Sequence, residues 1–322
     1  MRRDHRTRVA VVGGGTSGEH EVSLASAASI RGALDESRYD VVALTIGRDG
    51  SWYDRGGRPI GLTGAVHVLR TCDVVLPALH GPGGEDGTLA ALCDLAGLPC
   101  VGSGVMAGAL AMDKWAAKLV AEALGIRTAP GRLVVPATAS TLRLTGPVVV
   151  KPVAAGSSLG VSLVQHQRDL APALAAAFAH DARALVEDVV AGREIDVAVL
   201  ARPDGSRMVS PALEIHSSGL FDHATKYDGT ARFEVPAPLG DLDLQRLERD
   251  AVAVVDALGC AGVARVDFFL TDRGWVLNEV NTMPGFTETS QVPRMFAAAG
   301  LPYPELLDLL LGDALVAARR AA

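Results

Sequence analysis

The chain has 322 residues, 49 % apolar and 21 % charged, with a formal net charge of −7. That length fits two or three compact units with ample core material, and the negative balance offers no general attraction to nucleic acid or an anionic membrane. Four cysteines (Cys72, Cys93, Cys100, Cys260) show no CxxC spacing, and the N-terminal apolar run ends in glycines. Free buried thiols, no signal peptide or membrane anchor, and a reduced cytoplasmic setting are the expectation.

In chain order, RVAVV predicts a first strand, HEVSLASAASIRGAL a helix and YDVVALTI a second strand. DVVLPAL predicts another strand, followed by the loop HGPGGEDG, the helix TLAALCDLAG and a short strand PCVG. Strands alternating with helices imply a mostly parallel sheet covered on both faces. A helix over 112–125 has Asp113 to cap its start and Gly125 to end it. After Pro130 the segments LVV, GPVVVKPV, GVSLVQ and ALVEDVV, with one helix among them, predict a small α+β lobe. From about residue 195 come further strands, the long polar stretch 216–238, a helix, a hairpin and a terminal helix. The units are therefore drawn at 1–110, 111–194 and 195–322, with 216–238 as a lid in the last; irregular stretches of that length are usually functional lids or disorder.

Four places carry chemistry. Gly13-x-Gly15-x-x-Gly18 between strand and helix fits a dinucleotide fingerprint. Glu19 and Glu21 stand where a pyrophosphate would dock, and like charge there opposes an anion. Arg48 at the end of the second strand keeps an NADP-dependent oxidoreductase as a competing reading, while Glu19 suits an amino group. His80 and Glu85 lie in the loop at a strand's carboxyl end, where open parallel sheets bind ligands; a tight glycine turn is the plainer alternative. Lys151 at a strand end precedes Gly156-Ser157-Ser158-Leu159-Gly160, whose N–H groups and hydroxyls can fold over phosphates, and Lys114 adds charge. Glu187 and Glu194 flank a segment suited to a base or ribose contact. Finally, VARVDFF and WVLNEVN flank Asp272-Arg273-Gly274. A three-residue loop with Gly274 left-handed pairs Asp267 with Glu279 and Arg265 with Asn281, so all four share one face. Two carboxylates and an amide oxygen so crowded call for a cation such as a phosphate-shared Mg²⁺; otherwise the face is simply solvated.

Together these segments resemble the D-alanine–D-alanine ligase family of the ATP-grasp superfamily. The resemblance runs from GGGTSGEHEVS through LHGPGGEDG, SGVMAGALAMDK, VVVKPVAAGSSLG, TKY and RVDFF to NEVNTMPGFT. It implies an ATP-grasp fold of three lobes, a parallel α/β N-terminal domain and ATP held between the two C-terminal lobes. It further implies that Lys114, Lys151, Glu187 and Glu194 bind ATP, with Ser158 in the loop over its phosphates. Asp267, Glu279 and Asn281 would hold two Mg²⁺ ions, with Mn²⁺ as a substitute. Glu19 would bind the amino group of the first D-alanine, with His80 nearby, and Arg265 with the Gly285 N–H would form the oxyanion site. Ser290 would meet the second D-alanine's carboxylate, with Gln291 beside it where the family commonly has an apolar residue. Glu19, Ser157 and Tyr227 would form a hydrogen-bonded trio, with Lys226 reaching phosphates or second substrate. The intact Lys226-Tyr227 pair favours D-alanine as second substrate, over a paralogue that adds another D-amino or hydroxy acid. A non-catalytic nucleotide-binding module is the remaining alternative. A homodimer is the expected assembly.

Overall fold

The computed structural model describes residues 6–216 and 232–321. Three sheets organise it. The first has the order β3-β2-β1-β4, with β1 (Thr7–Gly14) parallel to both β2 (Tyr39–Ile46) and β4 (Val74–Pro77), and β3 (Trp52–Tyr53) antiparallel at the edge. β1 is apolar nearly throughout because both its faces are covered. Val9 and Val11 enter one core while Ala10 and Val12 enter another, beneath α2 (Gly61–Leu69) and α3 (Thr88–Ala96). α1 (His20–Ala33) follows the glycine turn, with Glu19 at its N-cap position. PCVG forms only an isolated parallel bridge from Cys100 to Val75, so the expected strand there is a single rung.

The second sheet is antiparallel, in the order β5-β8-β6-β7: β5 (Gly131–Val134), β8 (Ala184–Asp188), β6 (Val148–Pro152) and β7 (Ser162–Val164). Strand alternation divides β6: Val148 and Val150 pack on α7 (Gln167–Phe178), while Val149 and Lys151 line the cleft. A short helix α6 (Pro136–Ala139) links β5 to β6.

The third sheet, β12-β11-β9-β13-β14 with β10 off β9, carries the hairpin. Its strands are β9 (Arg193–Ala201), β10 (Arg207–Val209), β11 (Leu213–His216), β12 (Arg232–Glu234), β13 (Val263–Thr271) and β14 (Gly274–Asn281). One face buries Ile195, Val197, Ala264, Val266 and Phe268 against α4 (Val105–Met112), α5 (Lys114–Ala123) and α8 (Asp241–Leu258). The expected helix over 112–125 is α5. Asp113 caps it by accepting from the Ala116 N–H at 2.9 Å, and Gly125 follows in a left-handed conformation. The helices α4, α2 and α9 (Gln291–Ala298) had no counterpart in the sequence reading. Together with α10 (Tyr303–Ala321), α9 joins the first and third sheets through one core containing Val74, Leu76, Leu200, Leu213, Phe296 and Leu306.

Candidate active site

A cleft of about 1420 Å³ lies where the three sheets meet, and every described residue to which the family resemblance assigns a role lines it, whereas Gly13, Gly15 and Arg48 of the dinucleotide reading do not. Lys226 and Tyr227, with most of the proposed lid, lie outside the described residues. The described ends of that stretch form a stem, with Glu214 paired to Glu234 and His216 to Arg232.

The hairpin register is as expected, Asp267 opposite Glu279 and Arg265 opposite Asn281, but it arises differently. The ladder runs to Thr271 and Gly274, leaving a two-residue turn, and a bulge at Asn278 restores the register beyond Asp267. Bulges re-aim side chains: Asn278 Oδ1 accepts from Lys151 Nζ at 3.3 Å, beside Glu279. The cations that this crowded face requires are partly the chain's own. Arg265 makes a two-pronged contact with Asp267, Nε to Oδ1 at 2.7 Å and Nη2 to Oδ2 at 2.8 Å, and Lys114 Nζ lies 3.3 Å from Glu279. Asn281 Nδ2 donates to Asp267 Oδ2 at 3.0 Å. Two carboxylates and an amide on one sheet face are the hard-oxygen donor set that suits a divalent cation with few protein ligands.

Arg265 has further partners. Its Nη1 donates to Gln291 Oε1 at 2.7 Å, and Gln291 Nε2 donates to Asp196 Oδ2 at 2.9 Å. The Gln291 amide therefore ties the guanidinium to a carboxylate that is 1 % exposed. Burial works against the Arg265 charge, but Asp267 and Asp196 outweigh it and raise its pKa well above the ordinary value. Beside it, Ser290 Oγ accepts from the Thr287 N–H at 3.0 Å and shares a 2.8 Å bond with the Thr287 hydroxyl, shaping the turn that follows Gly285.

At the other end of the cleft, Glu187 is held between two lysines. Lys151 Nζ lies 2.6 Å from its Oε2, and Lys118 contacts its Oε1 directly. Burial alone would push Glu187 up, yet the two ammonium groups hold it below the usual carboxylate range. Lys118, pulled down to about 8 by burial and by Lys151, was absent from the sequence reading. A signal existed, since it follows Lys114 by four residues and so shares its helix face. Asp196 was likewise missed, two positions after Glu194 on the same face of β9.

Glu19 is 9 % exposed, and the Ser157 hydroxyl donates to its Oε1. Ser157 and Ser158 both adopt positive φ, 48° and 56°, a costly conformation for side chains other than glycine's that concentrates at functional loops. Lys114 Nζ reaches the Ala155 carbonyl at 2.7 Å, tying helix and loop together. His80, expected near the first substrate, lines the cleft with both ring nitrogens engaged by the protein. Its Nδ1 donates to the Met283 carbonyl at 2.8 Å, and its Nε2 bonds Ser26 Oγ at 2.8 Å. Ser26 Oγ in turn accepts from the Phe286 N–H at 3.1 Å. Burial keeps His80 below the usual imidazole range, so the neutral ring bridges α1 to the segment carrying Gly285. Glu85 accepts from the Gly81 N–H at 2.8 Å, and burial together with the Glu19 charge pushes it up to about 8. Arg48 pairs with Glu21 at 2.9 Å, which engages the residue on which the NADP reading depended.

The family models for the D-ala D-ala ligase N-terminus and C-terminus match residues 8–60 with 57–103, and 135–312. The chain is 42 % identical to a D-alanine--D-alanine ligase of Mycobacterium bovis, covering 98 % of this chain and 97 % of the relative. Among solved structures, the VanG D-Ala:D-Ser ligase of Enterococcus faecalis superposes with a TM-score of 0.84 at 34 % identity, over 96 % of this chain and 100 % of that one. The D-alanine--D-alanine ligase of Bacillus anthracis complexed with ATP does so at 0.81 and 26 %, over 98 % and 100 %. Those neighbours set the three-sheet arrangement within the ATP-grasp fold, and by model and by identity over nearly its whole length the chain belongs to the D-alanine–D-alanine ligase family.

Proposed function

We propose that the chain joins two D-alanine molecules into D-alanyl-D-alanine in an ATP-dependent reaction that supplies peptidoglycan precursors. The observation that carries this reading is the hairpin face, where Arg265, Asp267, Glu279 and Asn281 converge on a cleft shared with Lys114, Lys151 and the 156–160 loop. Asp267, Glu279 and Asn281 would hold Mg²⁺, two ions in full occupancy, and the metal when bound supplies neutralisation of phosphate charge. Lys114 and Lys151 hold the phosphate chain, Ser158 covers it, and Glu187 and Glu194 take base and ribose.

Glu19 holds the ammonium of the first D-alanine, aiming its carboxylate at the γ-phosphorus. A carboxylate oxygen attacks, the bond to the β–γ bridging oxygen breaks, and ADP leaves behind an acyl phosphate. Positioning and electrostatics carry such a transfer. The amine of the second D-alanine, having lost a proton, then attacks the acyl carbon. Arg265 and the Gly285 N–H stabilise the tetrahedral oxyanion, the C–O bond to phosphate breaks, and inorganic phosphate departs. Ser290 meets the second carboxylate, and the family resemblance gives Lys226 the role of reaching phosphates or second substrate and Tyr227 a place in a trio with Glu19 and Ser157. Gln291 and His80 serve by holding Arg265 and the Gly285 segment. Among the described residues no helix is long and apolar enough to cross a membrane, and a cytoplasmic homodimer is part of the reading. The test is phosphate release from ATP and Mg²⁺ with D-alanine, then with D-serine or D-lactate added. Release that depends on D-alanine alone and yields the dipeptide supports the reading; none with D-alanine sinks it.

A further inference from the structure

Lys118 is a buried lysine, 3 % exposed, that the reaction as described does not use. Lysines are rarely so buried unless they are paired; this one contacts Glu187, and the Glu279 charge also acts on it. Glu187 already has Lys151 on its other oxygen. Two lysines share the Glu187 carboxylate in a buried place, where each additional ion is costly. The arrangement has a use if one lysine is to be drawn away. Lys151 sits on the cleft wall, also bonded to Asn278 next to Glu279, and a triphosphate would draw its ammonium toward itself. Lys118 lies on α5 behind Glu187 and would stay.

What Glu187 faces gives this consequence. Val149 is its cross-strand partner, and Val149, Ala129, Val190 and Leu277 are among the apolar residues that line the cleft with it, a setting suited to a flat heteroaromatic ring. An ionised carboxylate only accepts hydrogen bonds, whereas a protonated one also donates. An acceptor-only group at a base slot favours a ring bearing an exocyclic amine, as adenine does, and disfavours one bearing a carbonyl there. A site whose polar group is left mismatched rejects the wrong ligand strongly.

We infer that Lys118 is a specificity-determining positioning residue: it keeps Glu187 ionised and oriented once Lys151 turns to the phosphates, and so makes the cleft select adenine over 6-oxopurine nucleotides. The inference rests on the ATP reading above. Without Lys118, Glu187 would stand unpaired beside a triphosphate, take up a proton, and accept either kind of ring.

The experiment is equilibrium binding of ATP and of inosine triphosphate, each with Mg²⁺, to the full-length protein and to Lys118→Met, Lys118→Gln and Glu187→Gln. Circular dichroism checks that each variant is folded. The wild-type protein is expected to bind ATP at least ~10-fold more tightly than the inosine nucleotide. Both Lys118 variants should lower that ratio about 10-fold, mainly by gaining affinity for the inosine nucleotide. Glu187→Gln, whose amide both donates and accepts, should lower it as well, and adding Lys118→Met to it should change the ratio no further. Equal weakening for both nucleotides, with the ratio kept, would show Lys118 to be a structural counter-ion and overturn the inference. So would an unchanged ratio in Glu187→Gln, a result that does not depend on whether the Lys118 variants fold. Because binding is read without D-alanine, a failure of the ligase assay leaves this measurement intact, and the two readings fail separately.

Discussion

Arg265 has its side chain 13 % exposed and is held from three directions by Asp267, Asp196 and Gln291. A guanidinium fixed in this way costs little to reorganise as negative charge develops on a reacting carbonyl, which is the condition for strong transition-state stabilisation. Arg265→Ala should therefore lower kcat by a factor corresponding to about 3 kcal/mol, and Arg265→Lys should recover little, since an ammonium cannot fill the planar fork. Steady-state kinetics with saturating ATP and D-alanine decide this; near-normal kcat in Arg265→Ala removes the assigned role. Glu85 carries a different prediction. With its carboxyl raised to about 8 in the folded protein, the neutral form is favoured by folding. The stability it contributes is complete below the unfolded carboxyl value of about 4.5 and is lost as pH climbs through about 8. Glu85→Gln keeps an acceptor for the Gly81 N–H but does not titrate. Its Tm relative to the wild-type protein should thus rise between pH 5.5 and pH 8.5. A difference that stays flat over that range contradicts the buried, protonated carboxyl.

At the level of elements, the loop 156–160 shows how a backbone detail governs a distant side chain. Gly156 does not need a left-handed backbone. A Cβ added to it would come within 2.1 Å of Glu19 Oε2, the far end of a side chain that can swing away. Gly156→Ala should therefore fold with little loss of Tm yet displace the carboxylate that receives the first amino group. The expectation is a KM for the first D-alanine raised roughly 10-fold or more, about 1.4 kcal/mol, with ATP affinity changed much less. Unaltered D-alanine kinetics would show that Glu19 is not held by this loop. These elements also mark what the sequence could reveal. The paired positions of β13 and β14 were legible because strand alternation is strict and the turn residues were explicit. The bulge at Asn278 was not, because an extra residue in one strand leaves no mark when a shorter turn compensates for it. The Asp113 cap and Gly125 stop of α5 were plain, while α4 and α9, eight residues each, are too short for periodicity to stand out. Lys118 and Asp196 share a face with Lys114 and Glu194, but the partners that bring them into the site, Glu187 and Gln291, stand on another strand and another helix, which spacing rules do not reach. Gln291 was named from the sequence, but its bridge from Arg265 to Asp196 was not.

In the whole molecule, the first and third sheets share a core through α9 and α10, whereas the second sheet has a core of its own built from Val148, Val150, Val164, Leu170 and Leu174. Most of its named ties across the cleft are polar, Lys118 to Glu187, Lys114 to the Ala155 carbonyl, Lys151 to Asn278 and Ser157 to Glu19, with Leu159 against Gly18 as an apolar one. Apolar cores set the free energy of cooperative opening, and ties made of polar groups add less, because on opening each group exchanges its protein partner for water. The central lobe should accordingly open as a unit at lower free energy than the rest. Backbone amides of β6 and β8 should then exchange with solvent by a sub-global route, while those of β9 and β13 exchange only on global unfolding. A nucleotide that bridges Lys151 on one wall and Glu279 on the other binds the closed form alone, stabilising it by RT ln(1 + [L]/Kd), or roughly 2.7 kcal/mol at 100 times Kd. Adding ATP with Mg²⁺ should therefore slow exchange in β6 and β8 by about 100-fold at that concentration and bring them toward the behaviour of β9. Lys151→Ala should remove most of that protection while leaving ligand-free exchange in β9 and β13 as it was. If β6 and β9 exchange alike without nucleotide, the lobe is not an independent unit, and closure around ATP must be sought in the loops instead.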